Sequence, residues 1–433
     1  MDKLYQVTEV LLSEAKKLGA DFAACAVSES EKREFNVDGG RFSLMRTLFD
    51  RNVSLTVLRE HRKGSVHVNR FDEEALKKAV AECMAACDSA EPDEAWQFAE
   101  GPIDESYTDG SPECDTDKLF ARTKELLGQI GERHPKILIE QMITDHSAGR
   151  VIYRNTSGVC YRTVSGCYTF ELMYSAHEGD KSTSFFGSGV TLDNLDKPVI
   201  ECALIERELT DIENQLNPQT LEGKFVGTAL LAPSALSEIV LGTMLGNFMT
   251  DGSLIDGTSI WKDKLNEQVA DPCFSLSLTP RADYVVDGRR YTGEGYRAEN
   301  CDLIRDGRLV SFALSQYGAN KTGFRRASTD GWNLTVPAGD QPLESIIAGI
   351  DRGILVMRFS GGQPAASGEF SGVAKNSFLI ENGRIAGALS ETMISGCVPD
   401  MLNNIRAVSR DVLRDGSLSL PYMAFDGVTI SGR

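Results

Sequence analysis

The stretch Phe378-Leu379-Ile380-Glu381-Asn382-Gly383-Arg384-Ile385-Ala386 decides how the C-terminal half is read. Two apolar arms flank Asn-Gly, a dipeptide whose residues both tolerate positive φ, and this is the pattern of a tight β-hairpin. Asp287-Gly288, Asp306-Gly307 and Asp426-Gly427 repeat the signal among strand-like residues. Residues 223–433 are therefore read as a β-rich domain, a large curved or barrel-like sheet with a few helices. Those helices are expected over Ser234 to Phe248, over Leu343 to Asp351, and from Pro399 to about Asp411.

Upstream the texture is mixed. Leu4, Val7, Leu11, Ala15 and Leu18 recur at helical spacing before Gly19, a natural C-terminal cap. From Asp21 to Val68, β-branched and aromatic residues interrupted by Asp38-Gly39-Gly40 read as strands joined by a turn. Asp72 is placed to cap a helix carrying Leu76, Val80, Cys83, Met84 and Cys87, and the acidic stretch Ser89 to Pro112 reads as a surface connection. A helix over Asp115 to Glu132 and strands from Ile137 to about Val190 follow. The fold class is thus α+β: an N-terminal mixed α/β domain over 1–195, in two parts of about 1–88 and 113–195, a helical linker over 196–222, and the β-rich domain over 223–433.

Acidic residues outnumber basic ones, 63 against 45, for a net charge of −18, and the basic residues form no cluster longer than pairs such as Arg289-Arg290. A surface that tracks nucleic-acid phosphates is disfavoured, and no direct nucleic-acid contact is expected. The most apolar run, Ile239 to Met249, lies between Glu238 and Asp251 and is well short of the roughly 18 residues of a membrane span. With no basic-then-apolar leader at Met1-Asp2-Lys3-Leu4-Tyr5-Gln6 and scattered cysteines, a cytoplasmic location with reduced thiols is expected.

Histidine is the most informative residue type. There are 5, His61, His67, His134, His146 and His177, and none lies beyond position 177. A site wholly in the C-terminal half must do without imidazole, which excludes a Ser-His-Asp triad or a histidine-ligated metal built there alone. His177-Glu178 has Lys181 and Ser182 where a second zinc ligand would be needed, and Cys83 with Cys87 share a helix face but lack a second pair. Phosphate-binding loops, dinucleotide fingerprints and nucleophile elbows are missing. The glycine-rich loop Ser360 to Gly372 would let another backbone approach, so Gly361, Gly362, Ser367, Gly368 and Phe370 are candidate peptide contacts. Composition alone favours the plainer alternative, a glycine-dependent turn that binds nothing.

Several strings taken together resemble one family. Ser367-Gly368-Glu369-Phe370-Ser371, Leu379-Ile380-Glu381-Asn382-Gly383-Arg384-Ile385, Thr392-Met393-Ile394-Ser395-Gly396 and Asp400-Met401-Leu402-Asn403-Asn404-Ile405-Arg406-Ala407-Val408 are similar, in order and spacing, to the C-terminal domain of the TldD/PmbA proteins. Gly19-Ala20-Asp21, Val27-Ser28-Glu29-Ser30 and Phe71-Asp72-Glu73-Glu74-Ala75-Leu76 resemble that family's N-terminal domain.

The resemblance implies a cytosolic peptidase system that processes or degrades small unfolded peptides. One subunit, the TldD type, carries zinc on a His-Glu-x-x-x-His helix, and the other, the PmbA or TldE type, lacks it. The matching helix here follows Leu230-Leu231-Ala232-Pro233 and reads Glu238-Ile239-Val240-Leu241-Gly242-Thr243. Both histidine positions, Glu238 and Thr243, and the glutamate position, Ile239, lack the required chemistry. The cysteine that the resemblance places near the end of a TldD-type chain is missing from Leu413 to Leu420, and Cys397 is read as structural.

The leading expectation is a PmbA/TldE-like subunit with no catalytic residue, metal or cofactor of its own. Its expected partners are a zinc-bearing TldD-type subunit and the peptide substrate; a homodimer is possible, and the sequence leaves open whether one forms when that subunit is missing. Two alternatives stand beside it. One is a self-sufficient hydrolase using scattered carboxylates or an oxygen-ligated metal; the other is a regulatory protein that binds DNA gyrase, a label that family members also carry.

Overall fold

The computed structural model describes residues 2–432. The N-terminal half runs α1 (Lys3–Lys17), β1 (Phe22–Asp38), β2 (Arg41–Arg59), β3 (Arg62–Val68), α2 (Glu73–Ser89), β4 (Ile103–Gly110), α3 (Thr116–Arg133), β5 (Ile137–Asn155), β6 (Val159–Glu178), β7 (Lys181–Ser182), β8 (Phe186–Leu192) and α4 (Ile205–Glu213). The C-terminal half adds β9 (Lys224–Leu231), α5 (Pro233–Leu236), α6 (Asp251–Ile255), β10 (Leu276–Leu278), β11 (Cys301–Arg305), β12 (Arg308–Leu309), α7 (Gln316–Thr322), β13 (Leu334–Thr335), α8 (Leu343–Ala348), β14 (Arg352–Gly361), β15 (Glu369–Glu381), β16 (Arg384–Leu389), β17 (Thr392–Cys397), α9 (Val398–Asn403), β18 (Ile405–Arg414) and β19 (Ser419–Ser431).

The N-terminal elements form an 8-stranded, curled half-barrel sheet. Its helices start where side chains cap them: Asp72 accepts from the Ala75 amide at 3.1 Å and Asp115 from the Lys118 amide at 2.9 Å. All three helices α1, α2 and α3 lie on one face. Val27, Leu55 and Ile152 bury there against α1 and α2, and Phe35, Val37 and Met142 against α3. The other face meets the C-terminal half through a tyrosine cluster in which the Tyr161 and Tyr291 rings stack at 4.5 Å.

In the C-terminal half an 11-stranded sheet closes on itself, because β19 pairs with β17 on one side and β9 on the other, completing the ring β9–β14–β15–β17–β19. Alternation sorts its side chains: Ala229, Leu231, Ile354 and Val356 enter one core with the helix after β9, while Leu230, Leu355 and Phe378 enter a second core shared with α3 and α4. The α+β class and the barrel-like C-terminal sheet are as expected. Residues 196–222 pack Ile205, Leu209 and Ile212 at 0% exposure into that shared core, so the connecting segment is part of the joint between the halves.

Four local expectations are corrected. Residues 103–110, inside the expected surface connection, are strand β4, paired in parallel with β6. The helix opened by Pro399 ends at Asn403, and Ile405–Arg414 is a strand on β19. Asp426-Gly427 lies inside β19 at a register shift, with Gly427 at φ 82°, and makes no hairpin. Asp287-Gly288 belongs to no strand either, and Gly288 packs on the Pro280 backbone.

Candidate functional site

The helix after β9 begins as α5 and continues through π-helical turns Ser237–Leu241 and Met244–Met249. It is apolar on nearly all sides, and Leu236, Ile239, Val240, Leu241, Met244 and Phe248 are buried in the C-terminal core. Ile239 is 1% exposed and offers no donor atom. The Thr243 hydroxyl donates to the Ile239 carbonyl at 2.5 Å. Glu238 Oε2 accepts the Phe359 amide at 2.6 Å; burial pushes its carboxyl above the usual range, opposed by that amide and by Arg358. Among the described residues no group of three or more His, Cys, Asp or Glu side chains is placed to hold a metal ion.

The structure brings the glycine loop onto this helix. Residues 362–368 connect β14 to β15, whose pairing runs up to Gly361 opposite Gly372. The Asn247 side-chain amide donates to the Ala365 carbonyl at 3.0 Å, and Phe359 packs edge-on to Phe370 at 5.8 Å. Most of the glycines make room for neighbours within the chain. A Cβ on Gly361 or Gly372 would strike the Phe359 ring at 2.4 Å, and one on Gly368 would meet Phe248 and Pro399 at 2.8 Å. Gly362 alone among the candidate glycines faces open space. Ser367 donates to Glu369 at 3.4 Å, and Phe370 is 6% exposed.

Beside the loop lies a cleft of about 420 Å³ lined by Glu369, Phe370, Ser395, Cys397, Asp400, Met401, Asp426 and Thr429. It is rich in acceptors. Asp426 is already engaged, receiving the Thr228 hydroxyl at 2.6 Å and Arg406 Nε at 2.9 Å. Cys397 keeps its proton, since burial raises its thiol. Of the expected peptide contacts only Phe370 lines this cleft; the strand residues Ser395 and Thr429, which complete it, carried no glycine or charge signal in the sequence. The cleft can bind the amides of an extended chain but offers no imidazole to activate water.

A second surface stands out. Residues 41–52 of β2 are all exposed, including Phe42, Leu44, Met45, Leu48 and Phe49, the last at 76%. Strand β3 covers β2 only from Val53 to Arg59, so among the described residues the outer edge of 41–52 has no strand beside it. Phe49 and Arg51 also line a groove of about 750 Å³ with Glu29, Glu31 and Arg150.

Residues 224–432 match the family model described as the PmbA/TldA metallopeptidase C-terminal domain, and residues 23–87 match PmbA/TldA metallopeptidase domain 1. The chain is 24% identical to the Metalloprotease PmbA homolog of Haemophilus influenzae over 94% of this chain and 88% of that one. It is likewise 24% identical to Metalloprotease PmbA of Escherichia coli O157:H7, over 97% and 95%. Its fold is similar to that of TldE from Thermococcus kodakarensis, with a TM-score of 0.86 at 20% identity, covering 98% of this chain and 100% of the other. Among the described residues no helix is long and apolar enough to cross a membrane.

Proposed function

The chain belongs to the PmbA/TldD metallopeptidase family, and from that premise we propose that it is a PmbA/TldE-type subunit, holding no zinc itself, that assembles with a zinc-bearing TldD-type subunit to process small unfolded peptides in the cytoplasm. The observation that carries this reading is the state of the helix after β9. Its three motif positions present one carboxylate, one hydroxyl and one hydrocarbon, and both polar groups are committed to backbone partners. Zinc needs several ligand atoms free to converge, and these three positions offer at most one carboxylate. The acceptor-rich cleft by Phe370 supports peptide binding through main-chain amides, which suits substrates of varied sequence.

The test is reconstitution. The full chain alone should contain no stoichiometric zinc and cleave no peptide, and mixing with the TldD-type protein of the same organism should give a complex and chelator-sensitive cleavage. Tightly bound zinc with activity in the isolated chain would overturn the reading in favour of a self-sufficient hydrolase.

A further inference from the structure

We propose that the seat of α4 is a pH-sensitive catch between the two halves: it is shut while Glu208 carries a proton, and loss of that proton lets α4 and the β18–β19 turn part from the N-terminal sheet. The helix packs Ile205, Leu209 and Ile212 into the shared core, so the joint cannot open without moving it. Its polar side carries the acids. Glu208 and Asp211 are half-buried and three residues apart, so they share a face of the helix.

Every element around this face contributes to its charge. From β8 the Ser188 hydroxyl donates to Glu208 Oε2; Ser188 has one proton to give, so the Tyr174 hydroxyl of β6, 2.8 Å away, donates to Ser188 in turn. The turn between β18 and β19 brings Asp415, whose carbonyl accepts the Thr191 amide of β8 at 2.7 Å. Asp411 of β18 and Tyr422 of β19 complete the group; Tyr422 is 1% exposed, and among the described residues its hydroxyl has no hydrogen-bond partner. Against these carboxyls stands Arg207, which is drawn toward Glu344 of α8 at 3.4 Å and lies over the Tyr422 ring. The remaining acids of α4 turn to α3, Glu206 pairing with Arg133 and Glu213 with His134. β5 and residues 199–201 add only the hydrocarbon of Ile139, Val199 and Ile200 to the core under the helix.

The closed seat therefore suits protonated acids. Burial pushes Glu208 up to about 7, opposed by the Ser188 hydroxyl and assisted by Asp211 and Asp415; burial pushes Asp211 up to about 6, against Arg207. A raised acid favours the closed joint while it is protonated. Its hold is complete below 4.5, weakens as pH rises, and is gone above about 7. Once ionised, Glu208 and Asp211 repel each other and Asp415, and their charges gain full hydration only when α4 lifts from β8.

The experiment is amide hydrogen exchange on the full chain at pH 5 and pH 8, corrected for the intrinsic pH dependence of exchange. The opening constant of α4 and of residues 415–424 should be larger at pH 8 by about tenfold or more, while α2, which packs in a separate core, keeps its own. The double variant E208Q/D211N should lose the difference. Equal protection of α4 at the two pH values in the parent chain overturns the proposal, whether or not the variant folds. Loosening of α2 to the same extent as α4 also overturns it, because the whole chain would then be unfolding. A folded variant that keeps the parent's difference overturns the assignment to these two acids.

Discussion

At Gly368 the backbone sits at φ 91°, and a Cβ there would lie 2.8 Å from the Phe248 ring and the Pro399 ring alike. Gly368→Ala therefore combines left-handed strain with a collision on two packed rings, and should cost about 2–4 kcal/mol, read as a lower urea midpoint. A second prediction concerns α4. Burial raises Glu208 to about 7, with the Ser188 hydroxyl opposing and Asp211 adding to the rise; burial likewise raises Asp211 to about 6 against Arg207. An acid whose folded value lies above its unfolded one favours the folded state while protonated. Its contribution is full below the unfolded value near 4.5 and is lost as pH climbs through 7. Glu208→Gln keeps an oxygen for Ser188 and should gain roughly 2 kcal/mol over the parent on going from pH 5 to pH 8, measured by denaturant unfolding at the two values. At this scale the sequence displayed the glycines of 361–372 plainly. It could not show that Phe359, Phe248 and Pro399 are what they accommodate, because those contacts join residues far apart in the chain.

At the scale of elements, the buried helix makes the sharpest prediction. Ile239→Glu puts an acid where the family resemblance implies the glutamate of the zinc motif, but it places an unpaired carboxylate in a dry core, at a cost expected to exceed about 3 kcal/mol. Calorimetry should show a large fall in melting temperature, and metal analysis no gain of zinc; a stable variant that acquires zinc would show that this helix can open to a metal. Helices with side-chain caps and regular apolar spacing, such as α2 and α3, were legible from sequence because their signals are local. Strand β4 was not, because its acidic residues Asp104 and Asp109 imitate a loop while its partner β6 lies some fifty residues on. The run after Pro399 reads as one helix to about Asp411, yet Ile405, Ala407 and Ser409 alternate in the period of a strand and form β18.

Across the whole molecule the two halves share a core. Leu119, Leu209, Leu355 and Tyr422 belong to one buried cluster, and Arg290 Nε meets Asp109 at 2.9 Å across the joint. Unfolding should be a single cooperative transition followed identically by fluorescence and circular dichroism. Tyr291→Ala, which removes the ring stacked on Tyr161, should lower stability by about 2–4 kcal/mol; two separated transitions in the parent chain would contradict the shared core. The α+β class, the hairpin at Asn382-Gly383 and the absence of histidine beyond position 177 were determined by the sequence alone, since each depends on residue type and short spacing. Closure of the barrel by β9 on β19, the union of that helix with the glycine loop, and the bare edge of β2 were decided only by the tertiary structure. The reason is physical: which strand lies beside which, and which edge is left without a neighbour, follows from how distant segments bury their apolar faces together, and no local pattern encodes that.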